Sequence, residues 1–293
     1  MRPPQKCFPL NFRRQFRVIA SAVFFLVSGA LAIQAQRPLG VDVSHYQGSI
    51  NWPSVNGSGI SFAWAKATEG LSVNDAYFAV NESGAPAAGV MIGAYHYAHP
   101  EMNIGLAGAD QEAAHFWSVA GNYIKNGGNY LMPMLDIEQD LSTATPAYTK
   151  TTLSQWVNRW CQDVVNYAAA SGVTVTPVVY TYTSYSSAWL NSTVTVWPLW
   201  MAQYPASPNP HSGAPSSTSP WTPGAWVVWQ YSATGVVPGI SGNCDLDVFN
   251  GTAAGLTNLV IGTNAQLPLV TLVPQLDRAV DAGGTVSFAG TAT

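Results

Sequence analysis

The sequence predicts an α/β fold, a barrel of the (β/α) type, and three observations support this prediction. Short apolar segments, each with the length of one strand, recur between residues 40 and 249. Several of them are almost continuously hydrophobic, which is typical of strands that are covered on both faces. Segments with helical periodicity lie between them, and an alternation of strands and helices over about 225 residues favours a closed barrel.

The predicted elements follow one another along the chain. The predicted strands are 40–44, 62–67, 91–98, 131–137, 176–181, 199–203, 226–231 and 244–249. The predicted helices are 74–83, 105–120 and 151–170, and the third carries an apolar stripe at helical spacing, formed by Trp156, Trp160, Val164 and Tyr167. The segment 205–223 is rich in Pro, Ser and Gly and is predicted to be a loop. We therefore expect the last units of the barrel to lack proper helices.

The first 35 residues have the order of a secretory signal. Arg13, Arg14 and Arg17 precede an apolar stretch over 18–32, and small residues follow. The arginine pair leaves the twin-arginine route open beside the general Sec route. An uncleaved membrane anchor is the alternative, but an apolar run of about 15 residues is short for about 30 Å of hydrocarbon. We predict a cleaved signal over 1–35 and a secreted or periplasmic protein without stable membrane association.

The last 31 residues differ in character from the segment before them. Residues 267–274 are apolar and flanked by proline, and residues 280–288 alternate like a strand that follows a turn. This pattern predicts a linker and a short C-terminal β-like tail over 263–293, the possible start of a truncated immunoglobulin-like domain. Two strands do not form a stable sandwich by themselves, so an unstructured tail is the open alternative.

Charge and cysteine content exclude some classes of partner. The sequence has 11 basic and 15 acidic residues, and five of the basic residues lie in the predicted signal. The remainder has a formal charge of −9, which argues against nucleic acid because phosphate binding needs basic patches. Cys161 and Cys244 remain after cleavage, and we predict two buried thiols, although the sequence leaves a disulfide open.

Carboxylates are concentrated at the predicted strands. The segment 36–262 has 13 acidic residues, and six of them lie within or at the ends of strands, namely Asp42, Glu69, Asp136, Glu138, Asp245 and Asp247. Solvated charges usually lie on helices and loops, so this placement is unexpected for a surface pattern. The carboxyl ends of barrel strands line the active site, and we therefore predict an acidic active site there.

Asp136 and Glu138 form the most informative pair. Residues i and i+2 of a strand point to the same face, with side chains roughly 6–7 Å apart. Burial and mutual repulsion should raise one pKa and leave a proton on one of the two groups near neutral pH. Cleavage of a glycoside requires such an acid, which protonates the leaving oxygen while a neighbouring group stabilises the oxocarbenium-like centre.

Other chemistries receive less support from the sequence. His45, His96 and His99 could serve as metal ligands, but no histidine pair has the spacing of a zinc site and no cysteine cluster exists. The sequence has no G-x-S-x-G motif of a serine nucleophile. We predict no metal and no cofactor. Aromatic residues near the strand ends could stack on sugar rings or fill the core, and they are Tyr95, Tyr97, Tyr180, Trp200, Tyr204, Trp229 and Tyr231.

Seven short motifs occur in order along the chain. They are Gly40-Val-Asp-Val-Ser-His-Tyr-Gln-Gly48, Lys66-Ala-Thr-Glu-Gly70, Gly93-Ala-Tyr-His-Tyr97, Leu135-Asp-Ile-Glu138, Leu199-Trp-Met-Ala-Gln-Tyr204, Trp229-Gln-Tyr231 and Cys244-Asp-Leu-Asp-Val-Phe249. Together they resemble family 25 glycoside hydrolases, the muramidases of bacteria, phages and fungi. The resemblance covers roughly residues 38–256 and every predicted strand.

The resemblance implies an incomplete TIM-like (β/α)5(β)3 barrel over 36–262. It also implies hydrolysis, with retention, of the β-1,4 bond from N-acetylmuramic acid to N-acetylglucosamine in peptidoglycan. We expect peptidoglycan glycan strands as the partner and a monomeric protein. By motif, Glu138 corresponds to the general acid/base and Asp136 to the group that assists the substrate acetamido group, and Asp42 and Asp245 complete the acidic site. The sequence leaves an enzyme carboxylate open as the nucleophile, but the position of Asp136 and Glu138 on one strand favours the substrate-assisted route. The residues expected to bind substrate are Glu69, Tyr95, Tyr97, Tyr180, Trp200, Gln203, Trp229 and Gln230.

The last motif departs from the family pattern, which more often reads Val-Asp-Leu-Asn. Asp247 is then either a hydrogen-bonding substitute for the asparagine or a second charge. A chitinase would need aspartate at the positions of Leu131 and Met134, so that interpretation is rejected. A non-catalytic cell-wall glycan-binding module is the rival from another class, and it would be expected to have lost the general acid.

Overall fold

The computed structural model describes residues 36–262, and the predicted signal and C-terminal tail lie outside the described residues. The strands are β1 (Leu39–Val43), β2 (Ile60–Glu69), β3 (Val73–Asn74), β4 (Met91–Tyr97), β5 (Met134–Asp136), β6 (Val178–Tyr182), β7 (Leu199–Ala202), β8 (Val228–Gly235) and β9 (Cys244–Phe249). The α-helices are α1 (Trp52–Gly57), α2 (Phe78–Ala87), α3 (Gly105–Ala120), α4 (Lys150–Ala170), α5 (Thr183–Trp189) and α6 (Ala253–Leu256).

The strands form one sheet that closes on itself. Its order is β1-β9-β8-β7-β6-β5-β4-β2-β3, and β1 also pairs with β2. Neighbouring strands are parallel from β1 through β2, β4, β5, β6 and β7 to β8. Strand β9 is antiparallel to both β8 and β1 and closes the barrel in the reverse direction. The two-residue strand β3 only extends β2 as a hairpin.

Within the barrel, α-helices connect only the first five strands to the next strand, and the short α6 follows the last strand, β9. One helix from α1 to α5 follows each of β1, β2, β4, β5 and β6. The connections 203–227 and 236–243, which the structure describes completely, contain no helix. The (β/α)5(β)3 architecture expected from the sequence is therefore confirmed, including the absence of a helix from the proline-rich loop.

Several boundaries differ from the sequence-based prediction. Strand β5 has three residues rather than the predicted seven, and Leu131 takes part only in an isolated bridge to Val260. Helix α2 begins four residues late because Asp75 binds the backbone N–H of Tyr77 and of His45, which fixes a turn before the helix. Helices α1 and α5 were not predicted, since six and seven residues are too few to show helical periodicity.

Large aromatic residues fill the inside of the barrel because two glycines leave room for them. A Cβ atom on Gly40 would lie 2.1 Å from the Phe62 ring, and one on Gly93 would lie 2.4 Å from the Trp64 indole. Trp64 in turn packs on Trp200, with 4.7 Å between the ring centroids. This aromatic layer closes the barrel below its open end, so that end becomes a cavity with a solid floor.

Helices α2 and α3 pack on the outer face of the sheet, and α4 packs against α3. Helix α4 begins with a capping box at Thr149 and buries Trp156 and Trp160, two members of the predicted stripe. The free Cys161 and Cys244 are both buried, which confirms the prediction of two buried thiols. Among the helices of residues 36–262, none combines the length and hydropathy that crossing a bilayer requires.

Candidate active site

The open end of the barrel, at the carboxyl ends of its parallel strands, contains a cavity of about 440 Å³. Strand-end residues face it because side chains two positions apart share one face of a strand. The lining residues are Asp42, Val43, Ser44, Tyr46, Gln47, Lys66, Glu69, Tyr95, Tyr97, Met134, Asp136, Glu138, Gln139, Tyr180, Tyr204, Gln230 and Asp245. Five of these are carboxylic acids and only Lys66 carries a positive charge, so the cavity is strongly acidic.

Asp136 and Glu138 lie side by side in this cavity. Asp136 ends β5 and is buried, whereas Glu138 follows the strand and is half-buried. Burial, followed by repulsion from Glu138, raises the pKa of Asp136 well above its ordinary value. Burial and then Asp245 raise the pKa of Glu138, while a hydrogen bond from Tyr97 acts in the opposite direction. The stronger shift thus falls on Asp136, and the charge that crowds Glu138 is that of Asp245.

One oxygen of Asp136 has no partner among residues 36–262. The Oδ1 atom is buried and accepts no hydrogen bond from any residue of the described range. A buried carboxylate oxygen without a donor is costly. This oxygen belongs to a residue that lines the cavity, so a ligand with an N–H or O–H group could satisfy it.

Asp42 is held by a short chain of hydrogen bonds. The Gln230 amide donates to Asp42 through Nε2, at 2.6 Å. The Gln230 carbonyl oxygen accepts from the hydroxyl groups of Tyr180, at 2.8 Å, and Tyr204. Because two donors occupy the oxygen of the amide, its nitrogen must face the carboxylate. Burial and the nearby Asp245 raise the pKa of Asp42.

Asp245 lies across the barrel seam from Asp42. The two residues are paired between the antiparallel strands β9 and β1. Burial raises the pKa of Asp245 to about 6. The acids contributed by the first and last strands therefore meet with those of β5 at one cavity.

Lys66 provides the positive charge of the cavity. Its ammonium group binds Glu69 and lies 4.6 Å from the centroid of the Tyr97 ring. His99 binds the other oxygen of Glu69 at 2.9 Å. These contacts lower the pKa of Glu69 against the effect of burial, so Glu69 is an ionised rim residue.

The structure brings nine of the twelve predicted site residues into the cavity, namely Asp42, Glu69, Tyr95, Tyr97, Asp136, Glu138, Tyr180, Gln230 and Asp245. The other three do not line it. Trp200 is fully buried in the aromatic layer and donates to Asp247. Trp229 is also buried, and its indole donates to the backbone oxygen of Gln203, whose side chain binds Ser216 instead.

The residues that the sequence analysis did not assign to the site are mostly polar. Ser44, Tyr46, Gln47, Lys66 and Gln139 line the cavity but were not among the predicted site residues. Lys66 could have been identified from the sequence, because a lysine inside an apolar strand needs a buried partner. Tyr46 is 82% exposed in the loop after β1 and shows no periodicity that could have indicated a role.

The histidines that were considered as metal ligands have other partners. His96 points away from the cavity, where its ring lies between Glu112 and Thr68 at 2.7 and 2.8 Å. His99 lies between Glu69 and Glu101, and His45 binds Asp75. Within residues 36–262, no group of three or more potential ligands is arranged to hold a metal ion.

An incomplete barrel with a cluster of carboxylic acids and exposed tyrosines around one cavity defines a class of protein, the barrel glycosidases. Comparison with known proteins agrees. The sequence model described as glycosyl hydrolases family 25 matches residues 41–240. The chain is 39% identical over 235 residues to "Lysozyme M1" of Streptomyces globisporus, which covers 76% of this chain and 71% of that protein.

Two further relatives extend the comparison. An "N,O-diacetylmuramidase" of Chalaropsis sp is 31% identical over 203 residues, covering 66% of this chain and 87% of the relative. The crystal structure of a bacterial lysozyme from Streptomyces coelicolor is 36% identical with a TM-score of 0.63, and the match covers 76% of this chain and 97% of that one. The chain belongs to glycosyl hydrolases family 25, the family expected from the motifs, and it is a glycosidase.

Proposed function

We propose that this protein is a secreted muramidase that cleaves the β-1,4 bond between N-acetylmuramic acid and N-acetylglucosamine in peptidoglycan. Two of its relatives are a lysozyme and a diacetylmuramidase, which supports this substrate. The observation that carries the proposal is the placement of Glu138, a half-buried acid with a raised pKa, beside the buried Asp136 in a cavity of sugar size. Secretion rests on the signal predicted over residues 1–35.

In the proposed first step, Glu138 donates its proton to the glycosidic oxygen as the bond to the anomeric carbon breaks. The carbonyl oxygen of the substrate acetamido group attacks that carbon and forms a cyclic intermediate, which makes the route substrate-assisted. Asp136 accepts a hydrogen bond from the acetamido N–H. The unpartnered Oδ1 atom of Asp136 supports this role because it is a buried acceptor that lacks a donor.

In the proposed second step, Glu138 accepts a proton from water, whose oxygen attacks the anomeric carbon and opens the cyclic intermediate. Two inversions at one carbon give net retention. Asp42 and Asp245 supply negative charge near the oxocarbenium-like centre. Glu69, Tyr95, Tyr97, Tyr180 and Gln230 surround the sugar, and Tyr46 and Tyr204 add exposed rings on which it can stack.

Replacement of Glu138 tests the central assignment. Glu138→Gln should abolish lysis of purified wall and leave sedimentation with wall intact, because the amide keeps the shape of the side chain but cannot donate a proton to the leaving oxygen. Mass analysis of products from the unmodified protein should show a reducing muramic acid end. Asp140→Asn, which changes an exposed acid of the same loop, is the matched control. Normal turbidity clearance by Glu138→Gln would remove Glu138 from its role.

Replacement of Asp136 tests the assisted route. Asp136→Asn should lower kcat at least about tenfold, which corresponds to roughly 1.4 kcal/mol of barrier. The unmodified enzyme should also fail to cleave wall whose muramic acid has been N-deacetylated, although it should still bind it. Rapid cleavage of deacetylated wall would instead indicate an enzyme nucleophile, because such a route does not need the acetamido oxygen.

A further inference from the structure

Asp247 is an acid that the proposed mechanism does not use, although it lies directly behind the site. Its side chain is fully buried on β9, and its Oδ1 atom accepts a hydrogen bond from the Trp200 indole at 3.1 Å. Its Oδ2 atom is buried and receives no donor from the described part of the chain. Asp42 lies on the adjacent strand β1, and Gln230, which donates to Asp42, is the cross-strand partner of Asp247, so the two carboxyl groups are neighbours. Two buried carboxyl groups in contact cannot both be ionised without a large repulsion.

The neighbours of the pair decide which residue holds the proton. Gln230 presents its amide nitrogen to Asp42, so Asp42 already accepts one hydrogen bond as an anion would. Asp42 also lines the cavity, whereas Asp247 has no exposed surface. Protonation of Oδ2 on Asp247 would turn an orphaned acceptor into a donor to Asp42. Protonation of Asp42 would leave the buried Oδ2 atom of Asp247 charged, with no hydrogen-bond donor other than Asp42 itself.

We propose that Asp247 is a positioning residue that keeps a proton on Oδ2 and donates a hydrogen bond to Asp42, which thereby carries the negative charge of the pair into the cavity. The sequence leaves two interpretations of Asp247 open, and this proposal favours the hydrogen-bonding substitute for asparagine over a second negative charge. The inference rests on the proposed function only in assigning a catalytic use to the charge of Asp42.

The titratable groups around Asp247 favour its neutral form. Asp42 faces it from β1, Asp245 and Cys244 lie on its own strand, and Tyr231 lies on the neighbouring strand β8. Each of them is neutral or negative, so none stabilises a negative charge on Asp247. Burial first, and then the nearby Asp42 and Asp245, raise the pKa of Asp247 well above the ordinary value.

Infrared spectroscopy can test the proton directly. Asp247→Asn should remove from the spectrum at neutral pH about one carboxyl group's intensity in the carbonyl band of protonated acids. Asp140→Asn, the exposed control, should leave that band unchanged. An unchanged band in Asp247→Asn would overturn the proposal, because Asp247 would then be ionised or Asp42 would hold the proton. This readout needs no turnover, so it decides the inference even if Glu138→Gln remains active.

Kinetics test the positioning role. Asp247→Ala removes the donor to Asp42, so the pKa of Asp42 should rise and the acid limb of the pH profile for kcat should move to higher pH, with kcat lowered about tenfold. Asp247→Asn retains a hydrogen-bond donor at the same place, so its kcat and the acid limb of its pH profile should lie close to those of the unmodified protein. Equal loss in both variants, with both still folded by thermal unfolding, would contradict the donor role, since only the alanine variant lacks the hydrogen bond.

Discussion

At the scale of single residues, the site depends on how few positive charges it contains. Lys66 is the only cation among the residues that line the cavity, and it lowers the pKa of both Asp136 and Glu138. It contacts Glu69 directly, and Glu69 is in turn held by His99. The position of one ammonium group therefore tunes the acidity of groups that it does not touch.

We expect Lys66→Met to shift the pH profile of lysis. Without the ammonium group the pKa of Glu138 rises, so the protonated acid persists to higher pH and the alkaline limb of kcat/KM moves upward. Rates across the pH range measure this shift. Lys125→Met, which removes a lysine that packs on Tyr130 away from the cavity, should leave the limb in place. An unmoved or lowered limb in Lys66→Met would refute the tuning role.

At the scale of elements, the sequence predicts the positions of strands that are marked by apolar runs. It does not predict the direction of a strand or the elements that depend on local turns. All eight barrel strands were located, because a buried parallel strand is marked by its own composition. The reversed direction of β9 was not foreseen, since a hydrophobic run has no polarity. Strand β3 and helix α1 are too short for a periodic signal. Nine acidic, aromatic or amide side chains at strand ends reached the cavity, but Trp200 and Trp229 could not be distinguished from core residues by type alone.

Helix α3 is joined to the barrel by one buried acid. Glu112 has no exposed surface and accepts hydrogen bonds from the His96 ring, the Asn103 amide and the backbone N–H of His99, at 2.6 to 3.2 Å. Burial lowers the pKa of His96, so its ring is a neutral donor to this carboxylate. The contact fixes the loop after β4, which carries His99 to the rim of the site.

We expect Glu112→Gln to lower the free energy of unfolding by about 1–3 kcal/mol, because the amide turns an N–H group toward existing donors and leaves one of them unpaired. Urea denaturation measures the change. Asp110→Asn on the same helix weakens the exposed pair with Arg159 and should cost less than about 1 kcal/mol. Equal losses in the two variants would show that Glu112 is not a special anchor.

At the scale of the whole molecule, several acidic side chains have a higher pKa in the folded state than in the unfolded chain. Burial raises the pKa of Glu82 on α2 to about 8, and neither of its oxygens has a hydrogen-bond partner in the described range. Asp136 and Asp247 are shifted in the same direction. Between the unfolded and folded pKa values the native state binds more protons than the unfolded state, so the free energy of unfolding falls as pH rises.

For Glu82 this window extends from about pH 4.5, the ordinary glutamate value, to about pH 8. Glu82→Gln should make the free energy of unfolding less dependent on pH within this window. At pH 9 the variant should be more stable than the unmodified protein by several kcal/mol, because each pKa unit corresponds to roughly 1.4 kcal/mol. Urea midpoints at a series of pH values measure both curves. Parallel curves for the two proteins would mean that Glu82 is ionised in the native state at no cost.

Strand β9, which enters the barrel between β8 and β1, has a consequence for when the enzyme can first act. Asp42 is made near the start of the described chain and Asp245 near its end, and each needs the other's strand beside it. A ribosome-bound chain that has not yet released residues 244–249 therefore has no complete set of acids and no closed cavity. Any activity that needs both Asp42 and Asp245 can therefore begin only after the last barrel strand has been made.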